Sequence, residues 1–288
     1  MKMVKYVACI LLGLMIITTP ITVQADIGPK PSVVIEFKGL EQEEYYVTLL
    51  SEKKSTGPWS VGNDYYDYMG NESVFDKFCE YKDSDGYYFL SFMDECSEDD
   101  TFAWTYYPPK KFKILIYFPK CDEFYCDESF YERYAFDSYF TVEVKSAEAQ
   151  ALTTNTEQSY DFTWEIVSLI ARVILTIALE IAIAALFFYR GNRKALRIIT
   201  VANVFTQVVL NVLLNMFNYY DGHYAFVFHY IWMEFVVFLL EGVIYHKAIA
   251  PMNTETEKRH HPYLYAALAN LVSLIVGIWI AKVVPGIF

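Results

Sequence analysis

Three glutamates, Glu180, Glu234 and Glu241, fall inside long apolar stretches near the C-terminus of this 288-residue chain. A charged side chain at mid-bilayer costs on the order of 2.5–3.5 kcal/mol to insert, so three of them need a reason. Amides accompany them. Asn203, Gln207, Asn211 and Asn215 recur at every fourth position, which on a helix makes one slowly winding stripe. Glu234 and Glu241 are seven apart, within about 20° of one helix face and roughly 10 Å along its axis. Carboxylates and amides gathered in one place can bridge helices, store protons, or offer hard oxygen ligands to a cation.

In the structural alternative a glutamate is protonated or paired with Arg172, which sits toward the outer end of its segment and can also reach water. His-Glu-x-x-His does not occur, and no catalytic residue is assigned. The candidate site is therefore a buried polar set: Glu180, Asn203, Gln207, Asn211, Glu234 and Glu241. Its spacing does not select a metal.

These residues must be carried by membrane-spanning helices. Trp164 to Tyr189, Ile198 to Phe217, Phe226 to Ile249 and Tyr263 to Val284 each hold about 20 or more mostly apolar residues, enough for a hydrocarbon core of roughly 30 Å. Backbone groups in lipid must be satisfied within their own segment, which requires helices. Arg190, Arg193, Lys194 and Arg197 follow the first span, and Lys247, Lys258 and Arg259 the third, whereas the loop from Asn218 to Ala225 has no Lys or Arg. The positive-inside rule puts both basic loops in the cytoplasm and both termini outside.

The N-terminus agrees with this orientation. Lys2 and Lys5 precede an apolar run from Val7 to Ile17, and Val23-Gln24-Ala25 offers small residues for cleavage. Residues 1–25 are expected to be a removed signal peptide.

Residues 26–145 read as an extracellular, all-β, sandwich-like domain. Ser32 to Phe37, Tyr45 to Leu50, Tyr87 to Met93, Thr101 to Tyr106, Phe112 to Phe118 and Tyr139 to Val144 are short runs rich in β-branched and aromatic residues. Phe112, Ile114, Ile116 and Phe118 should line one face, and Lys113, Leu115 and Tyr117 the other. Gly57-Pro58, Asp85-Gly86, Pro108-Pro109 and Pro119 mark turns. Asp85-Gly86 reads as a tight hairpin, and no helical period competes in this stretch. From Asp26 to Gln158 there are 27 acidic and 12 basic residues. That charge excludes nucleic acid as a partner.

Cys79, Cys96, Cys121 and Cys126 all lie in this domain. Four thiols confined to an exported part argue for two disulfides. Cys79 with Cys96 across the hairpin, and Cys121 with Cys126, are the favoured pairings; a zinc site would expect tighter spacing. The domain has no histidine, which excludes Ser-His-Asp and Cys-His chemistry within it. Asp83-Ser84-Asp85-Gly86 resembles part of a calcium loop, but the sixth position, which needs Gly, is Tyr88; a solvated hairpin tip is the simpler reading. Sixteen of the 25 tyrosines fall between Tyr45 and Tyr160, as core packing or as exposed rings for sugars or peptides. Residues 146–160 have almost no bulky side chain and read as a flexible linker. Residues 161–288 form the four-helix transmembrane domain.

Several segments resemble a group of bacterial membrane proteins to which no activity is assigned. They include Asp26-Ile27-Gly28-Pro29-Lys30-Pro31-Ser32, Thr48-Leu49-Leu50-Ser51, Tyr107-Pro108-Pro109, Ala135-Phe136-Asp137-Ser138-Tyr139-Phe140 and Asn203-x-x-x-Gln207-x-x-x-Asn211. The resemblance implies the same plan: signal peptide, extracellular β-domain and C-terminal helix bundle. The leading expectation is a non-enzymatic, multi-pass cell-membrane protein whose exported domain binds a protein or glycan, with no cofactor. The alternative is a small transporter or ion-responsive protein using the buried polar set. Four spans are few for a transport path, so that alternative also expects a homo-oligomer in the lipid bilayer.

Overall fold

The computed structural model describes residues 28–40, 43–66, 70–145, 154–186, 192–252 and 262–283. The signal segment 1–25, Arg190, Lys258, Arg259 and the first part of the linker lie outside them. The chain divides into two compact units, one of Pro29–Asp161 with Asn218–His223, the other made of the remaining helices.

Among the described residues the first unit holds eleven strands and one helix. The strands are β1 (Ser32–Lys38), β2 (Tyr46–Ser51), β3 (Ser55–Thr56), β4 (Trp59–Ser60), β5 (Asp94–Glu95), β6 (Thr101–Trp104), β7 (Lys111–Phe118), β8 (Glu123–Cys126), β9 (Tyr131–Glu132), β10 (Asp137–Val144) and β11 (Thr154–Gln158). One sheet runs β11-β10-β1-β6 and another β5-β2-β7-β8, with β9 also on β7. β1 pairs with β10 in parallel, Val34 opposite Tyr139, while the other ladders are antiparallel. Inward side chains of both sheets share one core. Phe112 of β7 meets Phe140 of β10 edge to face at 5.7 Å, an arrangement that matches ring edge to ring face. Most tyrosines pack in or against this core rather than standing free.

Four sequence expectations change here. First, a helix, α1 (Glu72–Glu80), does lie in the stretch. Asn71 caps it by accepting from Ser73 N, and Val74, Phe75 and Phe78 form its buried stripe. Phe78 packs on Tyr117 and Phe124, and β7 is buried on both faces. Second, Tyr87 to Met93 is not a strand. Ser91 takes a φ of 59°, which breaks extended backbone, and only Tyr88 bridges to Ser51.

Third, Asp85-Gly86 is a turn but not a strand–strand hairpin, because it follows α1. The Asp83 carboxylate accepts from Asp85 N and Tyr87 N at 3.1 Å each and shapes the loop. Ser84, Asp85 and Gly86 are exposed, as a solvated tip would be, but the Asp83 side chain is 2% exposed and paired with Lys113. Fourth, the far half of the expected linker is β11, an edge strand on β10. Tyr125 Oη and Asp127 Oδ2 hold Thr154 Oγ1 at 3.0 and 3.1 Å.

The second unit contains α2 (Thr163–Leu186), α3 (Arg193–Asp221), α4 (His223–Ala248) and α5 (Pro262–Val283). α2, α3 and α4 are each long and apolar enough to cross a membrane; α5 is apolar over Pro262–Gly277. α3 is longer at both ends than the span read from sequence, because helix continues through polar flanks. The bundle is inverted relative to a water-soluble one. Leu186, Phe228 and Val201 are exposed at 76%, 72% and 69%, while Glu180 and Glu241 are 0% exposed. Small residues allow the helices to approach: Ala184, Ala202, Ala266 and Ala269 are buried between them, the usual device where lipid supplies no hydrophobic drive. At Gly242 of α4 the Tyr263 ring of α5 comes so close that a Cβ would stand 2.8 Å from its Cδ1.

Candidate functional site

The six polar residues singled out from sequence are all buried in the helical unit, none more than 8% exposed. Three of them converge. Glu241 of α4 has its Oε1 2.6 Å from Thr206 Oγ1 of α3. Its Oε2 accepts from Asn270 Nδ2 of α5 at 2.7 Å. Glu180 of α2 accepts at Oε2 from the Tyr265 hydroxyl of α5 at 2.7 Å. Asn203 of α3 donates from Nδ2 to the Tyr245 hydroxyl of α4 at 2.9 Å. The Tyr245 and Tyr265 rings lie 5.4 Å apart and close the layer. All four helices contribute.

Amide orientation is decided by the backbone here. Asn203 Nδ2 donates to Ile199 O, Asn211 Nδ2 to Gln207 O and Asn270 Nδ2 to Ala266 O. A carbonyl only accepts, so each Nδ2 is identified without ambiguity. The amide oxygens of Asn203 and Asn211 are left without a hydrogen bond, as are Glu180 Oε1, Glu234 Oε2 and Gln207 Nε2. Buried polar atoms without partners are costly, and a cluster of them is unusual outside functional sites.

The layer is not the one depth alone suggests. Residue numbering puts Glu180, Gln207 and Glu234 level with one another. The structure instead sets Glu180 against Asn203 and Glu241, with Glu234 interacting more weakly and beside Tyr230. Gln207 and Asn211 continue along α3 beyond it. Arg172 does not pair with Glu180. Its Nε and Nη2 donate to Ser168 Oγ one turn earlier, and its guanidinium lies 5.4 Å over the Phe226 ring. No ion pair to any of the three glutamates occurs among the described residues. Nor does any group of three His, Cys, Asp or Glu side chains suited to a metal ion occur among them.

Thr206, Tyr245 and Tyr265 were not singled out in the sequence. Tyr245 follows Glu241 by four residues and so shares its face, which was a usable signal. Thr206 and Tyr265 had none, because their partners lie on other helices.

In the β unit, Lys113 on β7 is 2% exposed. Its ammonium lies 3.1 Å from Asp83 Oδ1 and 2.5 Å from Asp85 Oδ2, with the Tyr87 and Phe130 rings at 5.6 and 5.3 Å. The calcium-like acids thus face a lysine. The favoured disulfides do not form: all four cysteines are free thiols. Cys126 ends β8, whereas Cys121 lies in the turn before that strand, with its Sγ 3.7 Å from Phe118 O. Cys79 is exposed on α1 while Cys96 is buried at the end of β5. Beside the loop is a cleft of about 300 Å³ walled by Tyr81, Tyr87, Tyr88 and Phe89.

Comparison with protein-family models, with curated proteins and with solved structures finds no match, so the activity has to be read from these two constellations.

Proposed function

We propose that the chain is a multi-pass membrane protein with four spans whose bundle takes up protons or a cation at the Glu180–Asn203–Glu241 layer. One observation carries this reading. Buried carboxylates from two helices are held by hydroxyl and amide groups of the other two, with no basic side chain paired to them among the described residues. A purely structural network would be expected to satisfy its own atoms, and this layer leaves Glu180 Oε1 and Asn203 Oδ1 without a partner.

The β unit is exported after removal of residues 1–25, and both termini face outside. Arg193, Lys194 and Arg197 at the start of α3, and Lys247 near the end of α4, support that orientation. Protease added to intact cells should digest the β unit; protection until lysis would sink the topology. For the site, purified protein in vesicles carrying a pH-sensitive dye should respond to imposed proton or cation gradients. Glu180→Gln and Glu241→Gln should abolish the response while leaving expression intact. If both behave as wild type, the network is structural.

A second reading is favoured by the cleft. Its tyrosine walls suit stacking on a glycan or a peptide, so the exported domain would bind a partner without catalysis. Tyr88→Ala should weaken binding to such ligands, and deletion of residues 26–158 should remove it. Retention of binding by the spans alone would end this reading.

A further inference from the structure

The hydrogen count around Glu241 goes further than its burial. Thr206 Oγ1 lies 2.6 Å from Glu241 Oε1, 3.0 Å from Ala202 O and 3.2 Å from Asn203 O. A hydroxyl has one hydrogen, and here three oxygens compete for it. Two of them are backbone carbonyls with no hydrogen to give. The other end of Glu241 is settled: Asn270 Nδ2, held in place by Ala266 O, donates to Oε2. Oε1 is therefore the end that can gain or lose a hydrogen.

Resting on the reading above, we propose that the species taken up is a proton, that Glu241 Oε1 is where it resides, and that Thr206 is the positioning residue that accommodates both states. With Glu241 protonated, its O–H donates to Thr206 Oγ1, and the Thr206 hydrogen turns to Ala202 O. With Glu241 ionised, the Thr206 hydrogen turns to Oε1. Neither state needs a heavy atom to move. The proton is exchanged with the aqueous phase, so the layer gains or loses one proton and the O–H bond at Glu241 Oε1 is the one bond formed or broken; Glu180 Oε1, which has no hydrogen-bond partner, is left as it was.

The lining argues against a metal ion at the same place. Glu241 Oε2 is met by the Asn270 amide N–H, whose hydrogen solvates a carboxyl group and presents the wrong polarity to a cation. The titratable groups facing it are Glu180 on α2, Tyr265 on α5, and Tyr245 and Glu234 on its own helix; α3 offers only the neutral Thr206 and Asn203.

Infrared difference spectroscopy on the full chain in lipid nanodiscs tests this through the carboxylic-acid C=O stretch. A band that disappears as pH rises, is absent in Glu241→Gln, and moves its midpoint by roughly one pH unit in Thr206→Val but not in Thr206→Ser is expected. The serine variant keeps the hydroxyl and guards against a folding artefact. A band insensitive to pH but removed by sodium, potassium or magnesium at fixed pH would overturn the proton assignment and leave the proposed function standing. A band that answers to neither would overturn both. A pH-sensitive band that persists in Glu241→Gln would move the proton elsewhere and overturn the assignment to Glu241.

Discussion

The Lys113 ammonium and the Asp83 carboxylate, each 2% exposed, meet at 3.1 Å beneath the loop that follows α1. Burial works against the charge on Asp83, but the Tyr87 N–H and the Lys113 ammonium outweigh it and hold the carboxyl below its ordinary range. Burial likewise opposes the charge on Lys113, and the hydrogen bonds it donates to Asp85 and Asp83 hold it above its ordinary value. The signs differ. The Asp83 contribution is present above the unfolded carboxyl value of about 4 and is lost as pH falls through the lower folded one. The Lys113 contribution is present below about 10.4 and is lost as pH rises through the higher folded one. Stability from the pair should therefore be flat between those limits. Asp83→Ala should cost about 3–5 kcal/mol, because it leaves a buried charge short of a partner. Thermal unfolding of the purified protein across pH measures both; an Asp83→Ala variant as stable as wild type would show the pair to be idle.

The thiols should react in a set order. Cys121 and Cys79 are exposed, while Cys96 is buried and Cys126 half-buried. Burial, above all, pushes the Cys126 thiol up to about 11, so at pH 8 only about one molecule in a thousand carries the reactive thiolate. Alkylation of native protein followed by mass spectrometry should find label on Cys121 and Cys79, and on Cys96 and Cys126 only after unfolding. Four unbridged thiols are uncommon in an exported domain. An intact mass lighter by two or four hydrogens would show that bridges form after all.

Gly242 should tolerate no side chain cheaply. An added Cβ would stand 2.8 Å from Tyr263 Cδ1 and 3.8 Å from Ala266 Cβ. Gly242→Ala must push the ring aside or part α4 from α5. Overpacking of this kind costs about 1–3 kcal/mol, less whatever alanine gains in helix propensity. The double variant Gly242→Ala with Tyr263→Ala should recover much of the loss in a thermal-unfolding assay. No recovery would place the strain elsewhere.

Tyr265 holds Glu180 by a single hydroxyl. Tyr265→Phe keeps the ring against Tyr245 and removes the donor. Leaving a buried acceptor without that partner should cost about 1–3 kcal/mol, visible as a lower unfolding temperature in detergent. Unchanged stability would mean that Glu180 finds another donor.

Much of the architecture can be read along the chain, because local period and length carry it. An apolar run long enough for a bilayer is helical for want of any other way to satisfy its backbone, and the three helices long and apolar enough to cross one, α2, α3 and α4, lie within a few residues of the runs read from sequence. Phe112 to Phe118 announces a strand by alternation. The stripe Asn203, Gln207, Asn211 is buried as its spacing implies. The signal of α1 was also present, in Asn71 before Glu72 and the apolar Val74, Phe75 and Phe78, but aromatic residues elsewhere in the segment read more strongly as strand.

The rest depends on contacts between residues far apart in sequence. Nothing local distinguishes buried Lys113 from an outward lysine on an alternating strand; α1 and the 83–87 loop cover that face and make the difference. Thr154 to Gln158 has no apolar content to declare a strand, and becomes one because β10 offers it an open edge. Thr206 and Tyr265 enter the polar layer only when four helices are set side by side. Period and hydropathy describe how one segment meets its solvent, whether water or lipid. Which hydrogen meets which oxygen across two segments is settled by packing, and so the chemistry at Glu241 emerges only from the tertiary structure.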